Sequence, residues 1–567
     1  LKKQIFLLLI LIINVGIGVA GSLYPIALTE LIHSADVIVD ASIESKTCFK
    51  QDGFIYTDYT LHVVSTLKGE KETFIHLLVE GGTVGEFSIV SSAETKLESG
   101  DEGIFMMNKI NGNYILHAHA QSVFLYHFET KAYYNPFVEI KKNDLEKLFG
   151  KSGITGAQSR SSKPVVSPTG NPLVMSISPL SITAGTESIL TIVGSGFGSA
   201  QTGKVFFANP DDAGSTYVSA LSTKIQTWTD TKITIAVPAQ AGSGNVWVQQ
   251  NGVISKSVQK LDISYARSNA ESNNYQFKVT LVNQNQAGGY GLNINHSFLA
   301  NDSAYQAYSR ALQSWRCRTG VNFTIGDSTD ITARTNDNVS LVRFANKNEL
   351  KQGVLGITYS YYSSCSSGYW YLTEFDMLFL DTSLWNFDPM SLPSSKFDFE
   401  SVVLHEMGHA HQLSHVINPS NIMHYSIAAG SNKRSIDTFS FDCASSIINE
   451  SKKNGLCGPS AHQTIDSDHC NDISFAYYNF ESPSTYPNPS EDILHINFNM
   501  PSESLGSIEL YDVMGQTTRQ LFSQNFAAGR NSYSIDLRNY YLHTGVYLLK
   551  IAAFNKTFMK KIIYLKK

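Results

Sequence analysis

"HEMGHAHQLSH", residues 405–415, gathers four histidines and one glutamate into a single run, and its reading decides how the centre of the chain folds. His405 and His409 are four residues apart. On a helix they stand one turn apart on one face, where two imidazoles can reach one ion at about 2.0–2.1 Å. Glu406 lies about 100° round such a helix, close enough to hold a water on that ion without becoming a ligand. The preceding "FDFESVVL", residues 397–404, supplies the rest of the helix. Asp398 is its expected cap, and Asp398 and Glu400 sit where carboxylates complement the helix dipole.

His415 is the test of the reading. On a continued helix it would lie about 9 Å beyond His409 along the axis and could not join the pair. It becomes a third ligand only if the chain reverses just after His409. The residue at the expected turn is Gln412, where a left-handed backbone costs a non-glycine residue about 1–2 kcal/mol. "VINPSNIMHYSI", residues 416–427, then places Pro419 and Asn421 in a loop and Met423 eight residues after His415. His411 points about 200° away from His409, so it is expected at the surface or in a supporting place and not as a ligand. His424 alternates away from Met423 and is expected to be structural.

With the third histidine and the methionine in register, the segment resembles the metzincins, and by the eight-residue gap the matrixins among them. That resemblance implies an α+β zinc-peptidase domain over residues 266–480, with one catalytic Zn2+ held by His405, His409 and His415. It implies Glu406 as general base and acid, and a Met-turn at Met423. Met423-His424-Tyr425 is similar to the corresponding astacin triplet, which lends Tyr425 a zinc-binding and oxyanion-stabilising role. "YWYLTEFDMLFLD", residues 369–381, is the candidate for the sheet edge that takes a substrate as an added strand. Residues 424–438 are the candidate specificity wall. Calcium as a second cofactor is left open by these residues. Upstream, "NDSAYQAYSRALQSWRC" reads as a helix capped by Asp302 or Ser303, and "VSLVRFAN", "GVLGITYSYY" and "TEFDMLFLD" read as strands.

The remaining sequence divides round this region. A chain of 567 residues is too long for one core. Its start, "LKKQIFLLLILIINVGIGVAGS", has the anatomy of a secretory signal peptide over residues 1–20. Residues 22–150 alternate as short strands and predict a small all-β barrel or sandwich. Residues 151–174 are rich in Ser, Gly and Pro and read as a linker. Residues 175–265 resemble an IPT/TIG domain, an immunoglobulin-like sandwich, on the Gly194–Gly198 turn, Trp228 and Pro238. Residues 485–567, opening "YPNPSEDILHINF", resemble the C-terminal sorting domain of the type IX secretion system of Bacteroidetes. That resemblance implies export through the periplasm to the medium or the outer-membrane surface, with the secretion machinery as a partner.

Export makes the six cysteines disulfide candidates. The expected pairs are Cys317 with Cys365 and Cys443 with Cys457, leaving Cys470 and Cys48 unassigned. Cys48 lacks any recognisable switch motif and is expected to be unpaired or in a long-range bridge, not a zinc block. A net charge of −6 with 16% charged residues gives no basic surface for nucleic acid. Past the leader there is no apolar run long enough to span a bilayer. The expected function is therefore a secreted zinc endopeptidase acting on proteins or peptides. The competing reading is a surface adhesin or binding protein with a structural metal site. Glu406 discriminates, since a structural site needs four protein ligands and no base.

Overall fold

In the computed structural model, the described residues are 22–149, 171–466 and 483–566, less short gaps at 94, 128–129, 366–367, 390, 454–457, 501–503, 527–528 and 554–555. The expected signal peptide, most of the expected linker, Cys457 and Cys470 lie outside them. The chain divides into two compact units, residues 1–465 and 466–567. It is predominantly β, with the sandwich, the catalytic region and the tail in the expected order.

The N-terminal region builds a closed barrel. Val37–Gln51, Phe54–Lys68, Phe74–Glu80, Asn113–Leu116 and Glu102–Ile110 follow one another in the sheet, and the last pairs back onto the first. Closure leaves no free edge among these strands. Val39, Leu61, Leu77 and Phe105 fill the inside. Two short strands between Phe74–Glu80 and Glu102–Ile110 do not join the barrel: β1 (Gly82–Val84) and β2 (Phe87–Ser91) leave it for the sheet described below.

The immunoglobulin-like region packs a four-stranded sheet against a five-stranded one. Its first strand, Leu173–Ser178, takes up the last two residues of the expected linker. Trp228 does not join the core. It is half-buried, and its indole N–H donates to the Phe197 carbonyl at 2.8 Å, closing the glycine-rich turn.

The histidine-bearing region is organised by a mixed sheet of β3 (Tyr290–Asn295), β4 (Phe323–Thr329), β5 (Ser340–Ala345), β6 (Gly356–Ser364) and β7 (Trp370–Leu380). Its order is β4-β3-β5-β7-β6, continued by β2 and then β1. Only β6 among the region's own core strands runs antiparallel to its neighbour. The substrate-edge expectation needs correction here. β7 is interior and pairs with both β5 and β6, so the edge of the region's own sheet is β6. β7 is nearly all buried, as an interior strand should be, and alternation alone could not order the strands.

Helix α1 (Asp302–Thr319) and helix α2 (Phe399–Ala410) pack together. α1 is capped by Asn301, one residue before the expected pair, and ends at Gly320 with φ 75°. Its apolar face is buried: Ala304, Ala307, Tyr308, Ala311, Leu312 and Trp315 are inaccessible to solvent. A third helix, α3 (Thr438–Ser451), follows the loop after Met423.

Cys317 and Cys365 are each disulfide-bonded. Cys443 is a buried free thiol on α3, so the expected Cys443–Cys457 bridge is not formed. Sequence spacing could not show that Cys443 faces the core of a helix. Cys48 is also free, with its Sγ 3.3 Å from the Thr57 hydroxyl.

The second unit has a three-stranded and a four-stranded sheet. Leu494, Ile496, Leu510, Phe526, Leu549 and Ile551 form its core.

Candidate metal centre

α2 begins as its sequence dictates. Asp398 is completely buried and accepts from the Ser401 N–H at 3.0 Å. The helix carries His405, Glu406 and His409 and stops at Ala410. The chain then reverses in a Schellman arrangement: the Gln412 N–H bonds the His409 carbonyl at 2.8 Å, and the Leu413 N–H bonds the Gly408 carbonyl at 2.9 Å.

Gln412 takes the left-handed position with φ 70°. Its buried side chain offsets the strain. Gln412 Oε1 accepts from the Tyr362 hydroxyl at 2.7 Å, and Nε2 donates to the Ala410 carbonyl at 3.0 Å. The returning chain is also fastened to the segment that leads into the region. Ser268 N–H donates to the Gln412 carbonyl and Ser414 N–H to the Ala266 carbonyl, both at 2.9 Å.

The reversal brings the three imidazoles together. Nε2 of His409 is 3.0 Å from Nε2 of His405 and 3.1 Å from Nε2 of His415, and the His405–His415 separation is 3.3 Å. Ligands held tetrahedrally at about 2.0–2.1 Å from one ion lie roughly 3.3 Å apart, so the spacing fits zinc. The other face of each ring is equally informative. His405 Nδ1 is 2.7 Å from the Ile422 carbonyl, His409 Nδ1 is 3.0 Å from the Leu413 carbonyl, and His415 Nδ1 is 2.6 Å from Asp211 Oδ1. Those partners only accept, so each Nδ1 carries the proton and each Nε2 presents a lone pair to the shared centre. Burial holds His405 and His409 well below the usual imidazole range, which keeps them neutral.

Glu406 is fully buried beside them. Its Oε2 accepts from the Thr358 hydroxyl at 2.7 Å and from the Ser92 hydroxyl at 3.1 Å. Burial pushes its carboxyl above the usual range. Gly356 on β6 allows the close approach, because a Cβ there would lie 3.1 Å from Glu406 Cγ.

Met423 packs beneath the ligand helix. A Cβ at Gly408 would stand 2.3 Å from the Met423 sulfur, so the glycine inside the motif makes room for the methionine. His411 is fully buried, not at the surface. Its ring lies against Trp315 with centroids 5.2 Å apart, and burial lowers it to about 3. His424 Nδ1 bonds the Ile417 carbonyl at 3.1 Å, a structural place. The Tyr425 hydroxyl is committed to the Pro136 carbonyl at 2.9 Å, so this arrangement lends the role expected from the astacin triplet no support.

Sequence reasoning missed Asp211, because the immunoglobulin-like region supplies it and nothing local to the histidines announces it. The nearest signal was "NPDDAG", residues 209–214, an acidic turn in the immunoglobulin-like module.

A five-stranded mixed sheet with one antiparallel edge, a helix bearing HExxH, a third histidine beyond a reversal and a methionine below make this a metzincin-like arrangement. Residues 283–442 match the Matrixin family model, residues 172–265 the IPT/TIG domain and residues 484–565 the secretion system C-terminal sorting domain. The sorting domain directs export to the cell surface or the extracellular space. No curated protein matches.

Among solved structures, a structural genomics protein of unknown function from Bacteroides thetaiotaomicron is 15% identical, with 20% of this chain and 30% of that one covered and a TM-score of 0.15. Dimeric latent PorU from Porphyromonas gingivalis is 8% identical, with 94% of this chain and 30% of that one covered and a TM-score of 0.15. The chain thus spans about a third of the length of either.

Proposed function

We propose that the chain is an exported zinc-dependent endopeptidase that hydrolyses peptide bonds with water, using Glu406 as general base and then general acid. The observation that carries this reading is the convergence of three Nε2 atoms whose Nδ1 partners leave them unprotonated, beside a buried carboxylate that is not one of the three ligands. His405, His409 and His415 would hold the ion. When bound, zinc supplies an open position, acidifies a water and polarises the substrate carbonyl. Glu406 takes the proton of the attacking water and passes it to the leaving amine. A purely structural zinc site would use four protein ligands. Among the described residues only these three His, Cys, Asp or Glu donors gather.

The direct test is metal analysis of the purified full chain together with cleavage of a peptide library. One zinc per chain and cleavage abolished by a chelator are expected. Zinc without cleavage, even from variants in which the cleft is opened, would defeat the enzyme reading.

Asp211 gives a second expected result. Carboxylates that orient a ligating histidine typically change metal affinity about 10–100-fold when lost. Asp211→Ala is expected to weaken zinc by that factor in competition with a chromophoric chelator. Asp211→Asn should recover part of the loss, since its amide oxygen still accepts from Nδ1–H. An unchanged affinity in Asp211→Ala would remove Asp211 from the site.

A further inference from the structure

The edge strand that borders Glu406 is covered by the chain's own N-terminal region. β2 pairs antiparallel with β6, from Phe87 opposite Ser363 to Ser91 opposite Tyr359. The pairing runs one step further: the Ser92 N–H donates to the Thr358 carbonyl at 3.0 Å, and the Thr358 N–H donates to the Ser92 hydroxyl at 2.9 Å. That hydroxyl then donates to Glu406 at 3.1 Å.

A second piece takes up the same edge beyond Glu406. Leu23 bridges Val354 in antiparallel sense, with the Leu355 N–H on the Ser22 carbonyl at 2.7 Å and the Tyr24 N–H on the Gly353 carbonyl at 3.0 Å. On its other side Leu23 bridges Ser426 in parallel sense. Its N–H reaches the Tyr425 carbonyl at 3.3 Å, and its own carbonyl accepts from the Ile427 N–H at 3.0 Å.

Residues 87–92 lead up to Glu406 and residues 22–24 lead away from it. Both run antiparallel to the edge, so together they trace one extended peptide laid through the cleft. No peptide bond joins Ser92 to Ser22, so the trace is interrupted beside the general base and offers nothing to hydrolyse. Resting on the peptidase reading above, we infer that residues 22–92 are a built-in inhibitor that occupies both sides of the substrate cleft as a peptide split at the catalytic glutamate.

A half-buried ion pair anchors the inhibitor. Arg334 forks Glu80 at 2.9 and 3.0 Å, and its guanidinium lies 4.5 Å from the centre of the Tyr359 ring on the edge strand. The Tyr359 hydroxyl donates to the same carboxylate at 2.7 Å. Glu80 lies at the end of the barrel strand from which β1 and β2 depart.

The test uses the full chain and two separate lesions. Val90 sits opposite Ser360 at a position whose N–H belongs to the ladder, so Val90→Pro breaks the pairing. Glu80→Gln removes the charge that anchors the barrel to Arg334. Hydrolysis of a fluorogenic peptide is measured at confirmed zinc content, with hydrogen exchange at Thr358 and Ser364, whose N–H groups donate to Ser92 and Glu86.

The unmodified chain is expected to protect both amides and cleave slowly. Val90→Pro should lose the protection and gain at least tenfold in kcat/KM, with Glu80→Gln moving the same way. Equal rates in the unmodified chain and in a Val90→Pro chain with unprotected edge amides would overturn the inhibitor. So would free exchange at both amides in the unmodified chain, whether or not the protein is a peptidase. Protected amides released by Val90→Pro, with no cleavage by any variant, would support the occupancy and sink the peptidase reading instead.

Discussion

Glu406→Gln, made in a chain whose cleft has been opened, is expected to keep its zinc and lose about 10²–10⁴-fold in kcat/KM. The argument is geometric before it is chemical. Glu406 shares the helix with two ligands but is not among the three donors that converge, so the metal content should not change. Glutamine has the same shape, and its amide oxygen can still accept from Thr358, so the packing of α2 against β6 should survive. What disappears is the ability to take a proton from water and return it to an amine. Zinc per chain and kcat/KM must be read on the same preparation. A variant that keeps both metal and rate would leave the glutamate with only the structural part it plays towards Thr358. A variant that loses the metal would make it a ligand.

How much of this was legible depended on how local each cause is. The cap at Asp398 and the one-turn spacing of His405 and His409 are both set within one helix. They follow from the order of residues alone. The reversal at Gln412 was half legible. The register demanded it, but the compensation comes from Tyr362, fifty residues upstream on a neighbouring strand. Asp211 was illegible for the same reason at larger scale, since its pairing with His415 spans 204 positions. The edge strand was misread because β6 and β7 are both almost entirely buried, so neither shows the alternation that marks a half-exposed strand. β6 is covered by β2, and that cover came from a region whose sequence spoke only of a small barrel. The free thiol at Cys443 failed on another ground: cysteine spacing does not say which side of a helix faces the core.

Asp398→Ala is expected to be the most destabilising single change near the site, although the residue touches neither metal nor substrate. Its carboxylate is completely buried. One oxygen caps α2 through the Ser401 N–H at 3.0 Å, and both oxygens lie 3.1 Å from Arg434 Nε. Arg434 belongs to the loop that runs from Met423 to α3, and its neighbour Lys433 donates its N–H to the Ser401 hydroxyl at 2.7 Å. The carboxylate therefore fastens the start of α2 to the loop that follows Met423. Removing one partner of such a pair leaves a charge without its counter-ion and costs about 3–5 kcal/mol. The Arg434 side chain keeps 18% of its exposure and can reach water, which places the expectation near the lower end, about 3 kcal/mol with the cap included. Asp398→Asn should cost less, because the amide oxygen can still cap the helix while the charge pair is lost. The shift of the urea midpoint measures the total, and hydrogen exchange along α2 assigns it to the helix. A loss no larger than that of a simple N-cap, about 1 kcal/mol, would show that Arg434 finds its counter-charge elsewhere, with Glu400 at 3.9 Å the nearest alternative.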